Sequence, residues 1–295
     1  MTLPSSADRR GRMGRVVPPE VPPAEVYRVQ AGSVTVRKVR IGGAGQTQVH
    51  LFVHGTASSG RIWLKMLGFL SSGSVPIPGV FVLPDLPGMG ESPALSRVTF
   101  RGWLDFLKGL VAAGFSGSVA ETAAGVHLVG HSLGAVVAMH LAREPWVASV
   151  ALISPVTAEF CREVREASRP GAGASTVVLT RVSGQLVYDR SSLSRDDAAL
   201  LREDYQRAAT TLRSGLPWPE FAVREPELLQ GKRVLLLWGE EDRVIAPSYF
   251  ARMKSELEKG GVLVDPVPLS CCGHLPMLEC PAKVAEALAR FWRRR

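Results

Sequence analysis

One serine of this chain lies between two glycines at the end of an apolar run. Ser132 is the central residue of Gly130-His-Ser-Leu-Gly134, which follows the strand-like run 126–129 and precedes a helical segment, 133–143. A serine on a sharp strand-to-helix turn with small flanking residues stands clear of the backbone and can act as a nucleophile. Serine is also a good helix cap. The pattern therefore predicts a nucleophilic Ser132, with a helix cap as the alternative.

A serine hydroxyl is a weak nucleophile until a positioned base takes its proton. His274 follows the last predicted strand within Cys271-Cys-Gly-His-Leu-Pro276, and this glycine loop would let its imidazole swing over the carboxyl edge of the sheet. His131 is adjacent to Ser132 but should point elsewhere at such a turn. Packed or surface roles are expected for three histidines within apparent strands or a helix: His50, His127 and His140.

The base in turn needs an acid that fixes its tautomer and stabilises the imidazolium. Asp242 comes just after the predicted strand 233–238, which places it at the same edge of the sheet. Glu240 and Glu241 are neighbouring alternatives for this role. The predicted triad therefore has the chain order Ser132, Asp242, His274.

A tetrahedral oxyanion needs two backbone donors. The amide of Leu133, directly after the nucleophile, is the first candidate. The second should come from the loop after the third strand, His54-Gly-Thr-Ala-Ser-Ser-Gly60. We predict the Thr56 amide, with Ala57 as the next choice. A turn is needed at this position in any case, so His54-Gly55 supports the oxyanion hole without establishing it.

With these motifs the chain resembles the α/β-hydrolase superfamily over roughly residues 25–295. It also contains the family's D-x-x-G-x-G-x-S loop, here Asp85-Leu-Pro-Gly-Met-Gly-Glu-Ser92. In relatives this loop is mainly structural, so Asp85 is not the expected acid. With a serine at position 132 the chain resembles the esterases and lipases of this superfamily, whereas dehalogenases and epoxide hydrolases have an aspartate at this position. The chain lacks the HGGG run of hormone-sensitive-lipase-type enzymes.

Short β-rich runs alternate with helical stretches, which predicts an α/β fold: a mostly parallel sheet with helices on both faces. The first two strands, 26–30 and 33–41, alternate like an antiparallel edge pair. Further strands are predicted at 49–53, 80–83, 126–129, 147–153, 233–238 and 262–267. Helices are predicted near 60–72, 100–113, 133–143, 247–259 and 282–293.

The stretch between the strands 147–153 and 233–238 is too long for a bare connection. It contains a capping-box pattern, Ser194-Arg-Asp-Asp197, ahead of helical sequence. We therefore predict a disordered tail at 1–24, an α/β-hydrolase core at 25–154 and 232–295, and a helical cap inserted at 155–231. Apolar residues of this cap could line an acyl pocket or form the cap's own core, among them Leu186, Val187, Tyr188, Leu216, Trp218 and Phe221.

The net charge of +8 is concentrated at the two ends of the chain. The arginine-rich stretches 1–15 and 290–295 leave a body of only about +1, so no basic face for nucleic acid is expected. No segment approaches the roughly 18 apolar residues of a membrane span. A cytoplasmic location is predicted, with organellar targeting by the N-terminal arginines as the alternative.

Four cysteines, Cys161, Cys271, Cys272 and Cys280, lack metal-ligand spacing. Free thiols are expected, and a link from Cys271 or Cys272 to Cys280 is the alternative. No metal or cofactor is required by the predicted chemistry.

These features predict a serine hydrolase that cleaves a small or medium carboxylic ester through an acyl-enzyme. The same triad would serve a thioesterase, lactonase, C-C hydrolase or acyltransferase. A cofactor-free lyase or perhydrolase, or a ligand-binding protein without activity, could also use this fold. The predicted partner is a small-molecule ester, and the sequence does not address the oligomeric state.

Overall fold

The computed structural model describes residues 22–29, 32–42, 48–72, 77–94, 99–114, 125–167, 185–213 and 225–294. Nearly all of the predicted tail, 1–24, lies outside these ranges. Three of the apolar cap residues also lie outside them: Leu216, Trp218 and Phe221.

The described part of the chain contains strands and helices that alternate as predicted. The strands are β1 (Ala24–Val29), β2 (Gly32–Ile41), β3 (Val49–Val53), β4 (Gly79–Pro84), β5 (Val126–His131), β6 (Val147–Ile153), β7 (Arg233–Gly239) and β8 (Leu263–Leu269). The helices are α1 (Leu64–Ser72), α2 (Phe100–Ala112), α3 (Leu133–Leu141), α4 (Ala158–Ala167), α5 (Arg195–Arg213), α6 (Glu225–Leu229), α7 (Pro247–Lys259), α8 (Pro276–Glu279) and α9 (Pro281–Arg293). Two short 3₁₀ turns lie at Gly60–Trp63 and Arg190–Ser192.

All eight strands form one sheet in the order β1-β2-β4-β3-β5-β6-β7-β8. β1 pairs antiparallel with β2, and β2 pairs antiparallel with β4. The remaining pairings in this sheet are parallel. The mostly parallel α/β fold with an antiparallel edge pair is therefore confirmed. Because the parallel strands run in one direction, the loops after β5, β7 and β8 open on the same edge.

Helices cover both faces of the sheet. One apolar cluster packs the sheet against α2, α3 and α7 through residues such as Phe106, Val136 and Phe250. The other packs it against α1 and α9 through residues such as Leu67 and Leu288. The central strands β3 and β4 are buried along their whole length, which explains their continuous apolar sequences.

The short helix α6 falls inside the predicted cap, 155–231, but contacts helices of the core. Leu228 and Leu229 are buried in the cluster shared with α3 and α7. Glu225 accepts a hydrogen bond from the Ala158 amide at 2.8 Å, which links α6 to the start of α4. This stretch of the chain therefore returns to the core a few residues before β7 begins.

Two prolines alter the exposed edge of the sheet at β8. The Leu269 carbonyl accepts from the Glu240 amide, so Leu269 faces the β7 side. The backbone N–H and C=O groups of successive strand residues point to alternate edges of the strand. Those of residue 269 point toward β7, so the backbone groups of Pro266 and Pro268 point away from β7, toward the open edge. Their missing N–H groups remove two donors that another strand would need, which is a common protection of sheet edges.

No helix within the described ranges is both long enough and apolar enough to cross a membrane.

Helix α2 shows how a helix is fastened to the sheet. Thr99 precedes it, and its hydroxyl accepts the Gly102 amide at 2.9 Å, a capping bond that satisfies one free N–H of the first turn. Trp103 is fully buried, and its Nε1 donates to the Pro87 carbonyl at 3.3 Å. The indole thus joins α2 to the loop that carries Asp85.

We expect Trp103→Ala to lower the free energy of unfolding by about 3–5 kcal/mol, because it leaves a large cavity in the core. Arg101→Ala, a change of an exposed side chain on the same helix, should alter it by less than about 0.5 kcal/mol. Urea unfolding followed by circular dichroism measures both. Equal effects of the two substitutions would contradict the packing described for α2.

Candidate active site

Ser132 lies on a strained turn between β5 and α3. Its backbone has φ 52° and ψ −120°, a conformation that is costly for a residue with a side chain. Neighbouring bonds hold it there: its amide donates to the Ile153 carbonyl at 3.0 Å, and its carbonyl accepts from the Val156 amide at 3.2 Å. The Ser132 side chain makes no capping bond to α3, so the helix-cap alternative does not describe it.

The two glycines around Ser132 allow backbones to touch. A Cβ on Gly130 would lie 2.5 Å from the Cα of Ala135 in α3. A Cβ on Gly134 would clash with the carbonyl oxygens of Val53 and His54 at the end of β3. The spacing of these glycines therefore serves the close packing of strand, turn and helix, as the sequence pattern predicts.

The structure brings Ser132, His274 and Asp242 together in one hydrogen-bonded chain. His274 Nε2 is 3.1 Å from Ser132 Oγ, and His274 Nδ1 is 2.7 Å from Asp242 Oδ2. All three residues are nearly buried, with exposed fractions of 9%, 3% and 3% for Ser132, Asp242 and His274. A carboxylate accepts the Nδ1 proton, which leaves Nε2 free to accept from the serine hydroxyl.

Asp242, and not a neighbouring glutamate, contacts the histidine. Its second oxygen, Oδ1, accepts the amides of Val244 and Ile245, both at 2.9 Å. Glu240 is exposed, whereas Glu241 accepts the Cys272 amide at 2.8 Å and so ties the acid loop to the histidine loop. The carboxylate of Asp242 is thus oriented from both ends, as an acid that fixes a histidine tautomer must be.

The loop of His274 is held at several points rather than free to swing. The Glu241 amide donates to the Cys272 carbonyl at 3.0 Å. A Cβ on Gly239 would clash with the carbonyl oxygens of Cys272 and Gly273, so the two loops meet backbone to backbone. Gly239 therefore permits the close packing that holds the histidine loop against the acid loop.

His131 contributes to the same arrangement through its contact with the backbone of His274. It is buried, and its Nε2 is 2.8 Å from the His274 carbonyl. Burial holds the pKa of His131 well below its usual range. Because a carbonyl only accepts, the neutral His131 ring carries its proton on Nε2 and donates a hydrogen bond to the backbone carbonyl of His274.

The predicted oxyanion loop packs directly against Ser132. A Cβ on Gly55 would lie 3.0 Å from the Ser132 Cβ, so the loop backbone touches the nucleophile turn. His54 is buried beneath the loop, and its Nε2 accepts the Leu86 amide at 2.9 Å. Its Nδ1 must then carry the proton, which it donates to the Gly55 carbonyl at 2.7 Å.

This bond from His54 also orients the next amide. In a planar trans peptide, N–H and C=O point in opposite directions. With the Gly55 carbonyl directed toward His54, the Thr56 amide must point away from it. Burial lowers the pKa of His54, which keeps the ring neutral and this donor pattern intact. Ala57, the second choice from sequence, has a positive φ of 53°.

Asp85 has the structural role expected of its loop. One carboxylate oxygen accepts the Gly60 amide at 2.7 Å, and the other accepts the Glu91 amide at 2.8 Å. Arg37 approaches the same carboxylate at 3.5 Å. Asp85 therefore joins the end of the oxyanion loop to the loop after β4.

The predicted capping box is confirmed at the start of α5. Ser194 Oγ accepts the Asp197 amide at 3.0 Å, and Asp197 accepts the Ser194 amide at 2.9 Å. The same carboxylate binds Lys65 of α1 at 2.8 Å. Of the apolar cap residues that the structure describes, Leu186 and Val187 pack against the core cluster under α1 and α9.

A second carboxylate of α5, Asp204, reaches the oxyanion loop. It accepts the Ser59 hydroxyl at 2.8 Å and lies 3.4 Å from Arg61, which also pairs with Glu203 at 2.6 Å. Two turns further along α5, Thr211 donates to the Gly88 carbonyl at 2.7 Å. Residue type does not predict these contacts, because Asp204 is one acidic residue among several on this helix.

The four cysteines are free, as expected from the sequence. In the described ranges, no group of three His, Cys, Asp or Glu side chains could hold a metal ion.

Comparison with known proteins identifies the family of this chain. A model described as "Alpha/beta hydrolase family" matches residues 51–287. The chain belongs to the alpha/beta hydrolase family. The matched stretch contains the oxyanion loop, the Ser132 turn, Asp242 and His274.

Two curated proteins show the nearer similarity. The chain is 34% identical over 231 residues to a dihydrolipoyllysine-residue acetyltransferase component of an acetoin cleaving system from Cupriavidus necator, covering 73% of this chain and 57% of that protein. It is 36% identical over 129 residues to the lipase LipV of Mycobacterium tuberculosis, covering 43% of this chain and 44% of the lipase. The chain thus spans about half of the length of these relatives.

A solved structure shows the same fold. A putative lipase from Acinetobacter baumannii AYE superimposes with a TM-score of 0.67 at 20% identity, covering 92% of this chain and 90% of that chain. At this identity the likeness concerns the fold alone.

Burial raises the pKa of Asp204 to about 6, against the opposing effects of the Ser59 hydrogen bond and Arg61. The folded-state pKa lies above the ordinary value of 3.8. The folded state is therefore stabilised by the neutral carboxyl at low pH, and this contribution is lost as the pH rises through 6.

Asp204→Asn keeps an acceptor for Ser59 but is uncharged at every pH. We expect its Tm to match wild type at about pH 4 and to exceed it at pH 8, by the equivalent of roughly 2–3 kcal/mol. Scanning calorimetry at the two pH values measures this difference. Asp196→Asn, which removes an exposed carboxylate of the same helix, is the control. A stabilisation by Asp204→Asn that is the same at both pH values would exclude the buried carboxylate as its cause.

Proposed function

We propose that this protein is a serine hydrolase that cleaves carboxylic esters of small or medium acyl groups through an acyl-enzyme on Ser132. The observation that carries the proposal is the chain of contacts from Ser132 Oγ to His274 at 3.1 Å and from His274 to Asp242 at 2.7 Å. The position of Ser132 on a strained turn at the carboxyl edge of the sheet supports the same function. The similarity to the lipase LipV agrees with ester bonds as the substrate.

In the first step, His274 Nε2 takes the proton of Ser132 as Oγ attacks the ester carbonyl. The carbonyl oxygen becomes an oxyanion, for which the amides of Leu133 and Thr56 are the proposed donors. Each such donor accounts for roughly 100- to 1000-fold in turnover. Asp242 keeps Nδ1 protonated and stabilises the imidazolium that forms.

In the second step, the tetrahedral intermediate collapses and the imidazolium gives its Nε2 proton to the leaving alkoxide. The alcohol departs and the acyl group remains on Ser132. Water then enters, gives a proton to His274 and attacks the acyl carbonyl. Collapse of this second intermediate returns the proton to Ser132 and releases the carboxylic acid.

The first experiment combines p-nitrophenyl acetate turnover with labelling by a fluorophosphonate probe. We expect Ser132→Ala to lose labelling and to lower kcat by about 10⁴- to 10⁶-fold with an unchanged Tm, because the nucleophile is lost but the fold is not. Ser149→Ala changes a buried serine at the opposite end of the sheet and should keep both signals. A Ser132→Ala variant that still hydrolyses the ester would overturn the proposal, and wild type that neither reacts nor hydrolyses would indicate a binding protein.

Acyl transfer to a thiol is a second candidate, favoured by the similarity to an acetyltransferase component. It uses the same acyl-enzyme, but a thiol replaces water in the last step. With p-nitrophenyl acetate as donor, dihydrolipoamide should leave acetate as the main product if the protein is a hydrolase. Formation of acetyl-dihydrolipoamide in place of acetate would identify a transferase.

A panel of thioesters, lactones and C-C substrates tests the other members of this reaction class. The mass of the trapped acyl group on Ser132 separates these enzymes from a lyase or perhydrolase. The predicted cytoplasmic location remains a prediction.

A further inference from the structure

Glu279 has no part in the steps above, yet its carboxylate binds the loop of the proposed base on both sides. It is the last residue of α8, five positions after His274. Oε1 and Oε2 each accept the Gly273 amide at 3.1 Å, and Oε1 accepts the Leu275 amide at 3.2 Å. The two amides that flank the histidine residue therefore converge on one side chain.

The same carboxylate also binds a segment that belongs to the predicted cap. Glu279 Oε2 accepts the Tyr188 amide at 2.8 Å. Two residues earlier, the Leu186 carbonyl accepts the amide of His274 itself at 3.0 Å. The segment 186–188 is thus joined to the histidine loop both directly and through Glu279.

Gly273 makes this contact possible. A Cβ at this position would lie 2.6 Å from the Tyr188 nitrogen and 3.2 Å from the Val187 carbonyl carbon. It would also lie 3.0 Å from Glu279 Oε1. The φ of Gly273 lies outside the left-handed region, so alanine is compatible with the backbone and would crowd both the segment and the carboxylate that binds it. The position therefore offers a way to push segment 186–188 away while Glu279 keeps its charge.

The backbone carbonyl of His274 is bound by a residue on the opposite side of the loop. This carbonyl accepts from His131 Nε2 at 2.8 Å, next to the nucleophile turn. The backbone of His274 is therefore fixed between segment 186–188, Glu279 and the turn that carries Ser132. A shift of the His274 backbone, which carries the imidazole, requires at least one of these contacts to break.

We infer that Glu279 is a positioning residue for His274 and that it uses segment 186–188 as a second point of attachment for the histidine loop. The inference rests on the proposed function, since it concerns the placement of the proposed base. A misplacement of about 1 Å between reacting groups is enough to slow a reaction about 100-fold. Loss of the attachment should therefore lower the rate of the chemical step even for esters too small to reach the cap.

The test compares Glu279→Gln, Gly273→Ala and the control Glu286→Gln on p-nitrophenyl acetate. Glutamine retains the shape of Glu279, but its amide nitrogen cannot accept an N–H, so one side of the attachment is lost. We expect kcat to fall roughly 10- to 100-fold in both Glu279→Gln and Gly273→Ala, with KM within about threefold of wild type. Glu286 is exposed on α9, and its substitution should leave kcat unchanged.

Several outcomes would overturn the inference. A change confined to KM would mean that segment 186–188 only covers the substrate. A loss in Glu279→Gln without one in Gly273→Ala would remove the segment from the attachment. Values within about twofold of wild type for both variants, while Ser132→Ala is inactive, would remove Glu279 from catalysis. If Glu279→Gln melts below the assay temperature, Gly273→Ala decides whether the attachment as a whole affects kcat, because it crowds segment 186–188 and Glu279 Oε1 without removing the carboxylate. Activity that survives in Ser132→Ala would instead refute the proposed function.

Discussion

The close approach of backbones around Ser132 is the constraint on which the rest of the site depends. Gly134 packs against the end of β3, and Gly55 packs against Ser132. At the neighbouring edge, Gly239 lets the acid loop touch the histidine loop. Where backbones meet at these distances, small side-chain movements cannot change the positions of the loops. Serine, histidine and aspartate are therefore held in place by main-chain contacts of their loops as well as by their own hydrogen bonds.

Buried histidines act here as connectors of the main chain. His54 binds the Leu86 amide with one nitrogen and the Gly55 carbonyl with the other. His131 donates to the carbonyl of His274. Burial depresses the pKa of both rings, so they stay neutral and keep one donor and one acceptor each. Their function is the opposite of that proposed for His274, whose imidazole must gain and lose a proton in each cycle.

The sequence was sufficient to predict the sheet, the nucleophile turn and the three side chains that meet at its edge. These features follow local rules: glycine spacing around a serine, and polar residues directly after buried strands. The contacts of Glu279 and Asp204 could not be predicted in the same way. Each joins segments far apart in the chain through backbone amides or one serine hydroxyl, and such partners leave no pattern in residue type. The short helix α6 falls within the predicted cap because the cap is inferred from the length of the stretch between two strands, whereas the contacts of α6 with core helices arise from tertiary packing.

The prolines of β8 have a consequence for how copies of this protein can meet. Backbone pairing between sheet edges is largely independent of sequence, because every residue except proline offers the same N–H and C=O groups. With Pro266 and Pro268 facing outward, that generic mode is weakened at this edge. Association there would have to rely on side chains, such as the exposed Leu263. It would then be specific, and a few substitutions on the surface could strengthen or abolish it without altering the fold.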